Sequence, residues 1–427
     1  MSPLTEPAMD THQHCAQLAE QGLAAARSLA NASGAQRDRA LLAIADALEA
    51  GVVTLQQANA QDLAAGKEAG LSSAMLDRLE LTDQRIAGMA GSIRQIAEQP
   101  DPVGRVVEGR VLDNGIRLQK LRVPIGVVLI IFESRPNVTS DAAALCLKSG
   151  NATILRGGKE ALRSNRAIAD CVAAGLAQAG LDPNAVQLVG TTDRAAVGEL
   201  LKMQGQIDLC IPRGGESLIR AVVEQAHIPV IKHYTGNCHV YLDADCDEQM
   251  AIDICVNAKT QRTGVCNAAE TLLFHADAAS SGLLKKVCRA LADEGVELRG
   301  DSRVQAEFPQ AKTATDEDWA AEYLDKIVAV RVVDSLDQAA QHINFYGSKH
   351  TDAIVTRDLA AADRFVTVID SANVFVNCST RFSDGGQYGL GAEIGISTDK
   401  LHARGPMGAD DLTTTKWVAY GSGQTRQ

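Results

Sequence analysis

The stretch Val123-Pro-Ile-Gly-Val-Val-Leu-Ile-Ile-Phe132 decides the fold of this chain. It is the longest apolar run, and it is far shorter than the about 20 residues a membrane span needs. Pro124 and Gly126 interrupt its start. A short, continuous, β-branched run of this kind reads as a buried parallel strand. Beyond it, apolar runs alternate with helical periodicity. Strands are expected at Val127–Phe132, Ala152–Leu155, Val186–Val189, Ile207–Ile211 and Pro229–Ile231. Helices are expected between them, at Ser140–Lys148, Glu160–Gln178, Asp193–Met203 and Glu216–Glu224. The alternation predicts an α/β fold with a doubly wound, Rossmann-type sheet.

A second α/β series follows, with strands at Val240–Leu242, Thr271–Phe274, Ile327–Val333, Asp352–Val355 and Val374–Asn377. Its helices are expected at Asp247–Lys259, Asp277–Ala292 and Leu336–Asn344. Upstream, residues 12–100 read as helical throughout, including Arg37–Ala50 and a helix starting at Thr82 and Arg85. That segment ends at Gln99-Pro100-Asp101-Pro102. Alternation in Arg110–Arg122 predicts an exposed hairpin, and Thr413–Tyr420 reads as a last strand. Ser379–Gly408, rich in glycine and polar residues, reads as a functional loop.

With 427 residues the chain should form more than one domain, because single cores stop growing near about 250–300 residues. Aromatic content is only 4% against 46% hydrophobic, so the cores must be built from Ala, Leu, Val and Ile. A formal net charge of −12 argues against nucleic acid or an anionic membrane as the main partner. Anions can still bind where Arg, Lys and backbone N–H groups converge. Met1–Asp10 has neither a basic start nor an apolar core, so no signal peptide is expected. The ten cysteines are scattered with no Cys-x-x-Cys pair, which predicts reduced thiols in a cytoplasm and no metal site. His12, His14 and Cys15 read as residues of a solvated first helix.

Seven stretches carry chemistry. In Thr260-Gln-Arg-Thr-Gly-Val-Cys266-Asn-Ala-Ala-Glu270, a cysteine follows a turn and precedes a strand. A thiolate so placed can attack a carbonyl carbon, with its own N–H aimed at the oxyanion; a buried structural cysteine is the bland alternative. Ile154-Leu-Arg-Gly-Gly-Lys-Glu160 and Ile211-Pro-Arg-Gly-Gly-Glu-Ser217 each join a strand to a helix start. Both place N–H groups and an Arg where a phosphate can sit, although Gly-Gly turns are also common connections. Glu133-Ser-Arg-Pro-Asn-Val138 follows the apolar strand, where ligands of open α/β sheets bind, or else it is a simple turn. Val230–His239 offers His233, His239 and Lys232 for proton transfer, against the commoner reading of histidines satisfied by backbone. Arg381-Phe-Ser-Asp-Gly-Gly386 and Glu393-Ile-Gly-Ile-Ser-Thr398 are suited to the charged ends of an amino-acid-like substrate or are a solvated loop.

Together these residues resemble the γ-glutamyl phosphate reductases (glutamate-5-semialdehyde dehydrogenases), a branch of the aldehyde dehydrogenase superfamily. The resemblance runs through Pro124–Val127, Glu133–Asn137, Leu155–Lys159, Pro212–Glu216, Lys232–His239, Gln261–Cys266, Glu322–Asp325, Gly347–Thr351, Asn377, Ser379–Asp384, Glu393–Thr398 and His402–Pro406. It implies NADPH-dependent reduction of L-glutamate 5-phosphate in proline biosynthesis. It further implies an NADP-binding domain at 1–101 and 125–234, a catalytic domain at 235–407, and an oligomerisation β-arm at 102–124 and 408–427. A homo-oligomer, dimer or tetramer, is expected. No kinase domain is expected on this chain, so the acyl phosphate is expected from a separate glutamate 5-kinase, with or without direct contact.

Carried over residue by residue, the resemblance makes Cys266 the nucleophile. Oxyanion or substrate binding falls to Arg135, Asn137, Arg262, Arg381 and Ser383. Cofactor binding (NADPH/NADP+) falls to Arg156, Gly157, Gly158, Lys159, Arg213, Gly214, Gly215, Ser217 and Glu322. Arg156 stands where the wider superfamily usually has a Lys, and an Arg there suits a 2′-phosphate. Oxidising members carry a Glu that activates water; here the corresponding stretch is His233-Tyr-Thr-Gly236, without a carboxylate. A hydrolytic aldehyde dehydrogenase and a nucleotide-binding regulatory protein are the competing readings. The missing base weighs against the first, and the intact cysteine turn against the second.

Overall fold

In the computed structural model Val127–Phe132 is a strand with all six residues buried. Its two hydrogen-bonding edges are taken by parallel strands Ala152–Arg156 and Leu209–Arg213. Val186–Leu188 pairs with the outer edge of Ala152–Arg156, which completes a four-stranded parallel sheet. The model describes residues 10–426; Met1–Met9, most of the stretch expected not to be a signal peptide, lies outside the described residues.

The helical segment begins as expected and is broken into Thr11–Leu29, Gly34–Ala50, Val52–Glu68, Ser73–Leu79 and Asp83–Glu98. Ser33 and Thr82 cap two of these, accepting hydrogen bonds from the Gln36 and Arg85 N–H groups. Pro229–Ile231 is not a strand. It contributes only the bridge Cys210–Val230, since Pro229 has no N–H with which to extend a ladder. The Asp193–Met203 helix shrinks to Ala195–Leu200, because the Asp193 carboxylate takes the Ala195 N–H and shapes a turn instead.

The second series forms a seven-stranded parallel sheet. Its order is Lys312–Thr313, Glu297–Gly300, Ile327–Val333, Ala269–His275, Cys238–Leu242, Thr351–Val355, Asn373–Val376. The expected Asp277–Ala292 helix is two helices, Ala276–Ser280 and Leu283–Asp293, parted by Gly282 at φ +91°. The strand Glu297–Gly300 and the helix Leu359–Val368 have no counterpart in the sequence reading. The hairpin is present as Val106–Val111 and Arg117–Pro124, and Thr413–Tyr420 adds a third antiparallel strand. This arm carries exposed Val106, Val107, Val111, Trp417 and Tyr420.

The chain divides into two compact units. One contains residues up to 232 with 389–395 and 407–427, and the other contains 233–388 and 396–406. The expected continuous block 235–407 is therefore interrupted. Gly389–Gly395 joins the first unit, where Gly391 lies against Ile96 and Gln99 and Gly395 against Arg213. Among the described residues, no single helix is long and apolar enough to cross a membrane.

Candidate functional site

In the second unit, Cys266 lies in the turn between the Glu248–Thr260 helix and the Ala269–His275 strand. Bonds from Val265 N–H to Thr263 O (3.0 Å) and from Ala268 N–H to Val265 O (3.1 Å) hold that turn. Among the described residues, the Cys266 N–H has no protein acceptor. The thiol is half-buried. Gly236 packs so closely on the cysteine main chain that a Cβ there would overlap Cys266 O, Cα and C. Gly236 in turn donates its N–H to Glu322 Oε1 at 2.8 Å. The His233–Gly236 stretch therefore runs beside the nucleophile candidate, and it brings the Glu322 carboxylate with it.

His233 Nδ1 meets the Ile396 carbonyl at 2.7 Å, so Nδ1 carries the proton and Nε2 the lone pair. A ring nitrogen of His233, the Cys266 sulfur and a ring nitrogen of His350 lie within 4.8 Å of one another. His350 was not singled out in the sequence; it comes from the Gly347–Thr351 segment and is fully buried. His239 has no exposure; its Nδ1 meets Asp352 Oδ1 at 2.9 Å, and its Nε2 has no hydrogen-bond partner among the described residues.

Arg381 and Arg262 border the same cysteine. Burial holds the Arg381 guanidinium below its ordinary value; Asp384 opposes this, Arg262 adds repulsion, and the Cys266 sulfur lies within its field. Arg381 Nε also donates to Gln261 Oε1 at 2.8 Å. Ser383 is fully buried, and its Oγ has no hydrogen-bond partner among the described residues. Asn267, which the sequence reading passed over, ties these pieces together. Its amide donates to Ser383 O (2.8 Å), its main-chain carbonyl accepts from Thr380 Oγ1 (2.7 Å), and its buried Oδ1 has no partner among the described residues. Two guanidiniums thus lie near the thiol, and Asn267, next to Cys266 in the chain, ties the Thr380–Ser383 turn to it, a set suited to an acid with a second anionic group.

The first unit gathers the other candidates at the carboxyl ends of its four parallel strands. Arg156 ends one strand, donates to Gly157 O (2.9 Å) and Thr192 O (3.2 Å), and keeps a buried Nε that has no partner among the described residues. Burial lowers its guanidinium; Glu160 opposes, and Arg194, another residue the sequence reading missed, adds repulsion. A Cβ on Gly157 would overlap the Asn165 amide. Gly158 opens the short turn Lys159–Ala161 that leads into Leu162–Gln178, with Lys159 exposed.

The two Arg-Gly-Gly turns flank Val127–Phe132 from opposite sides. Arg213 sits 3.8 Å from Glu393, and Gly215 donates its N–H to Glu133 Oε2 at 2.9 Å. Gly214 has no space for a Cβ beside Glu133 and Leu218, and Ser217 is exposed on the helix that follows. Arg135 is exposed, and the exposed Asn137 donates to Asp141 Oδ2 at 2.9 Å.

A model of the aldehyde dehydrogenase family matches residues 2–305. The γ-glutamyl phosphate reductase of Thermotoga maritima is 41% identical with a TM-score of 0.94, over 97% of this chain and 100% of that one. The γ-glutamyl phosphate reductase of Saccharomyces cerevisiae is 34% identical with a TM-score of 0.54, over 98% of this chain and 100% of its own. An acetylating aldehyde dehydrogenase from Geobacillus thermoglucosidasius shares the fold at 17% identity, with a TM-score of 0.70 over 98% and 100%.

Proposed function

The chain belongs to the aldehyde dehydrogenase family, in its γ-glutamyl phosphate reductase branch, and from that premise we propose that it reduces L-glutamate 5-phosphate to L-glutamate 5-semialdehyde and phosphate, a step of L-proline biosynthesis. The observation that carries the mechanism is Cys266 itself: a half-buried thiol whose own N–H lacks a protein acceptor, bordered by Arg262 and Arg381.

The Cys266 thiolate attacks the acyl carbon. The C–O bond to phosphate breaks, the departing phosphate takes up from solvent the proton that the Cys266 thiol gave up and leaves as the dianion, and a thioester remains on the sulfur. Phosphate is a good leaving group, so no strong acid is needed. The Cys266 N–H is placed to donate to the oxyanion at each tetrahedral stage. Arg262 and Arg381 hold the anionic groups of the substrate, and Ser383 Oγ and Asn267 Oδ1 serve its polar ends. After reduction, the thiohemiacetal collapses, the C–S bond breaks, and the aldehyde departs.

The family uses nicotinamide cofactors, and we assign NADPH here. Arg156 has a buried Nε with no partner among the described residues, lies at a strand end, and has Arg194 nearby, which fits a 2′-phosphate. Gly157 and Gly158 let the chain pass close to a ribose or phosphate, Lys159 offers an exposed cation, and Arg213, Gly214, Gly215 and Ser217 form the opposite rim. Glu322 is assigned to the nicotinamide ribose. When bound, the nicotinamide supplies the hydride. The exposed apolar arm is assigned to homo-oligomerisation. Ten unpaired cysteines support a cytoplasmic setting, and the acyl phosphate is supplied by a separate glutamate 5-kinase.

One observation favours a hydrolytic reading instead: His233 and Glu322 both stand by the cysteine turn. The test runs the reaction backwards. With semialdehyde and NADP+, NADPH should form slowly without phosphate and faster as phosphate is added. Acyl phosphate without NADPH should leave the acyl group on the Cys266 peptide by mass spectrometry. Rapid NADPH formation in phosphate-free buffer, abolished by His233→Ala, would make the protein a hydrolytic aldehyde dehydrogenase.

A further inference from the structure

We propose that His233, Cys266 and His350 together form a Zn2+ site, and that occupancy of this site reversibly switches off the thiol. One ligand atom from each residue lies within 4.8 Å of the other two. Tetrahedral Zn2+ with Zn–N near about 2.0–2.1 Å and Zn–S near about 2.3 Å needs ligand atoms about 3.3–3.7 Å apart. The three therefore have to draw in by at most about 1–1.5 Å, with Cys266 and His233 half-buried. His350 is the rigid member, fully buried, with its ring set edge-on to His233 at a centroid distance of 5.2 Å.

The second observation is the outer shell. A metal-binding histidine characteristically donates its other ring N–H to a carbonyl, which fixes the tautomer and aims the lone pair. His233 already does this through Nδ1 to Ile396 O at 2.7 Å. His350 Nδ1 lies 2.9 Å from the Thr351 hydroxyl and 3.7 Å from Cys238 Sγ, so its Nδ1 also meets fold groups rather than the Cys266 sulfur. Two imidazoles and one thiolate select a borderline-soft ion such as Zn2+ over Mg2+ or Ca2+. Binding forms two Zn–N bonds and one Zn–S bond and releases the cysteine proton to solvent. The sulfur lone pair is then held by the metal and cannot attack an acyl carbon. A fourth position is left for water.

The metal site stands on these three residues alone; its inhibitory consequence rests on Cys266 being the nucleophile. Purified, metal-free protein is titrated with Co2+ as an optical probe and with Zn2+ in competition. One equivalent of Co2+ should give a thiolate-to-metal absorption band that Zn2+ abolishes. Cys266→Ala should lose the band, and His350→Gln should weaken Zn2+ binding by at least about tenfold. His233→Gln should do the same if the His350 variant does not fold, as judged by circular dichroism. Turnover of the unaltered protein should fall as free Zn2+ rises and return on chelation. Absence of the band, or unchanged Zn2+ affinity in Cys266→Ala, overturns the site. A normal band with turnover unaffected by bound Zn2+ overturns the switch, and in that case the nucleophile assignment fails with it.

Discussion

At Arg156-Gly157-Gly158 the arginine folds back on main-chain oxygens of Gly157 and Thr192 and keeps a buried Nε that has no partner among the described residues. At Arg213-Gly214-Gly215 the same three letters meet protein carboxylates: Glu393 faces the arginine at 3.8 Å and Glu133 takes the Gly215 N–H at 2.9 Å. Both turns end parallel strands of one sheet, and both precede a helix start. The difference is that carboxylates touch the second turn directly, whereas Glu160 and Asp193 act on Arg156 only through space. A helix N-terminus supplied with a carboxylate from its own chain gains little from phosphate, whereas a half-buried guanidinium held only by main-chain oxygens, with its Nε–H left over, gains more. The first turn is therefore the stronger anion seat.

The largest expected effect separates binding from chemistry. Cys266→Ala should cut turnover by more than about a thousandfold. Both turns should nonetheless bind NADPH as before, measured by fluorescence titration beside steady-state rates. Loss of NADPH binding in that variant would mean that neither turn acts independently of the thiol.

The next effect tests the contrast directly. Arg156→Ala should weaken NADPH by about ten- to a hundredfold and NADH far less, since one charge-assisted hydrogen bond is worth about 1.5–3 kcal/mol. Arg213→Ala should change the NADPH-to-NADH preference by less than about threefold. Equal discrimination by the two variants would erase the distinction.

A pH measurement sharpens the second turn. Burial lifts the Asp141 carboxyl to about 6, against the pull of the Asn137 amide and Arg213. Its folded value lies above its unfolded one, so the folded protein holds the extra proton between about pH 4 and 6. Stability from this group is thus fully present below about pH 4 and is lost as pH rises through 6. Asp141→Asn should raise unfolding free energy at pH 8 by about 1–2 kcal/mol and leave it nearly unchanged at pH 4. Denaturant titrations at the two pH values would read this; an equal effect at both would remove Asp141 from the argument.

The smallest effect concerns Glu133. Glu133→Gln keeps a hydrogen-bond acceptor for Gly215 but removes its charge, and should lower stability by less than about 1 kcal/mol. Thermal unfolding at low and high salt would check it, because the loss should shrink as salt screens the charge.

Much of the scaffold was legible because it is written locally. Val127–Phe132, Ile327–Val333 and Thr413–Tyr420 have the expected limits. A buried strand needs consecutive apolar residues and an exposed one needs alternation, and either pattern fits within a few residues of chain. Thr82 announced its helix for the same reason, since a cap reaches only three residues ahead. Where Gly282 or Asp193 broke a helix, the competing turn was also local, and the apolar periodicity had masked it.

The candidate sites follow a different rule. Sequence by itself marked Cys266, Arg156, Arg262, Arg381 and Ser383 as residues of the right chemical type. It could not say that Gly236, rather than any residue of the cysteine's own turn, would press on the Cys266 main chain. Nor could it say that Asn267 would hold the Ser379–Ser383 turn, or that His350 would lie edge-on to His233. These pairings join segments that are neighbours only because parallel strands order them within a sheet. A polar atom's partner is set by that order, and two turns with the same letters therefore met different charges.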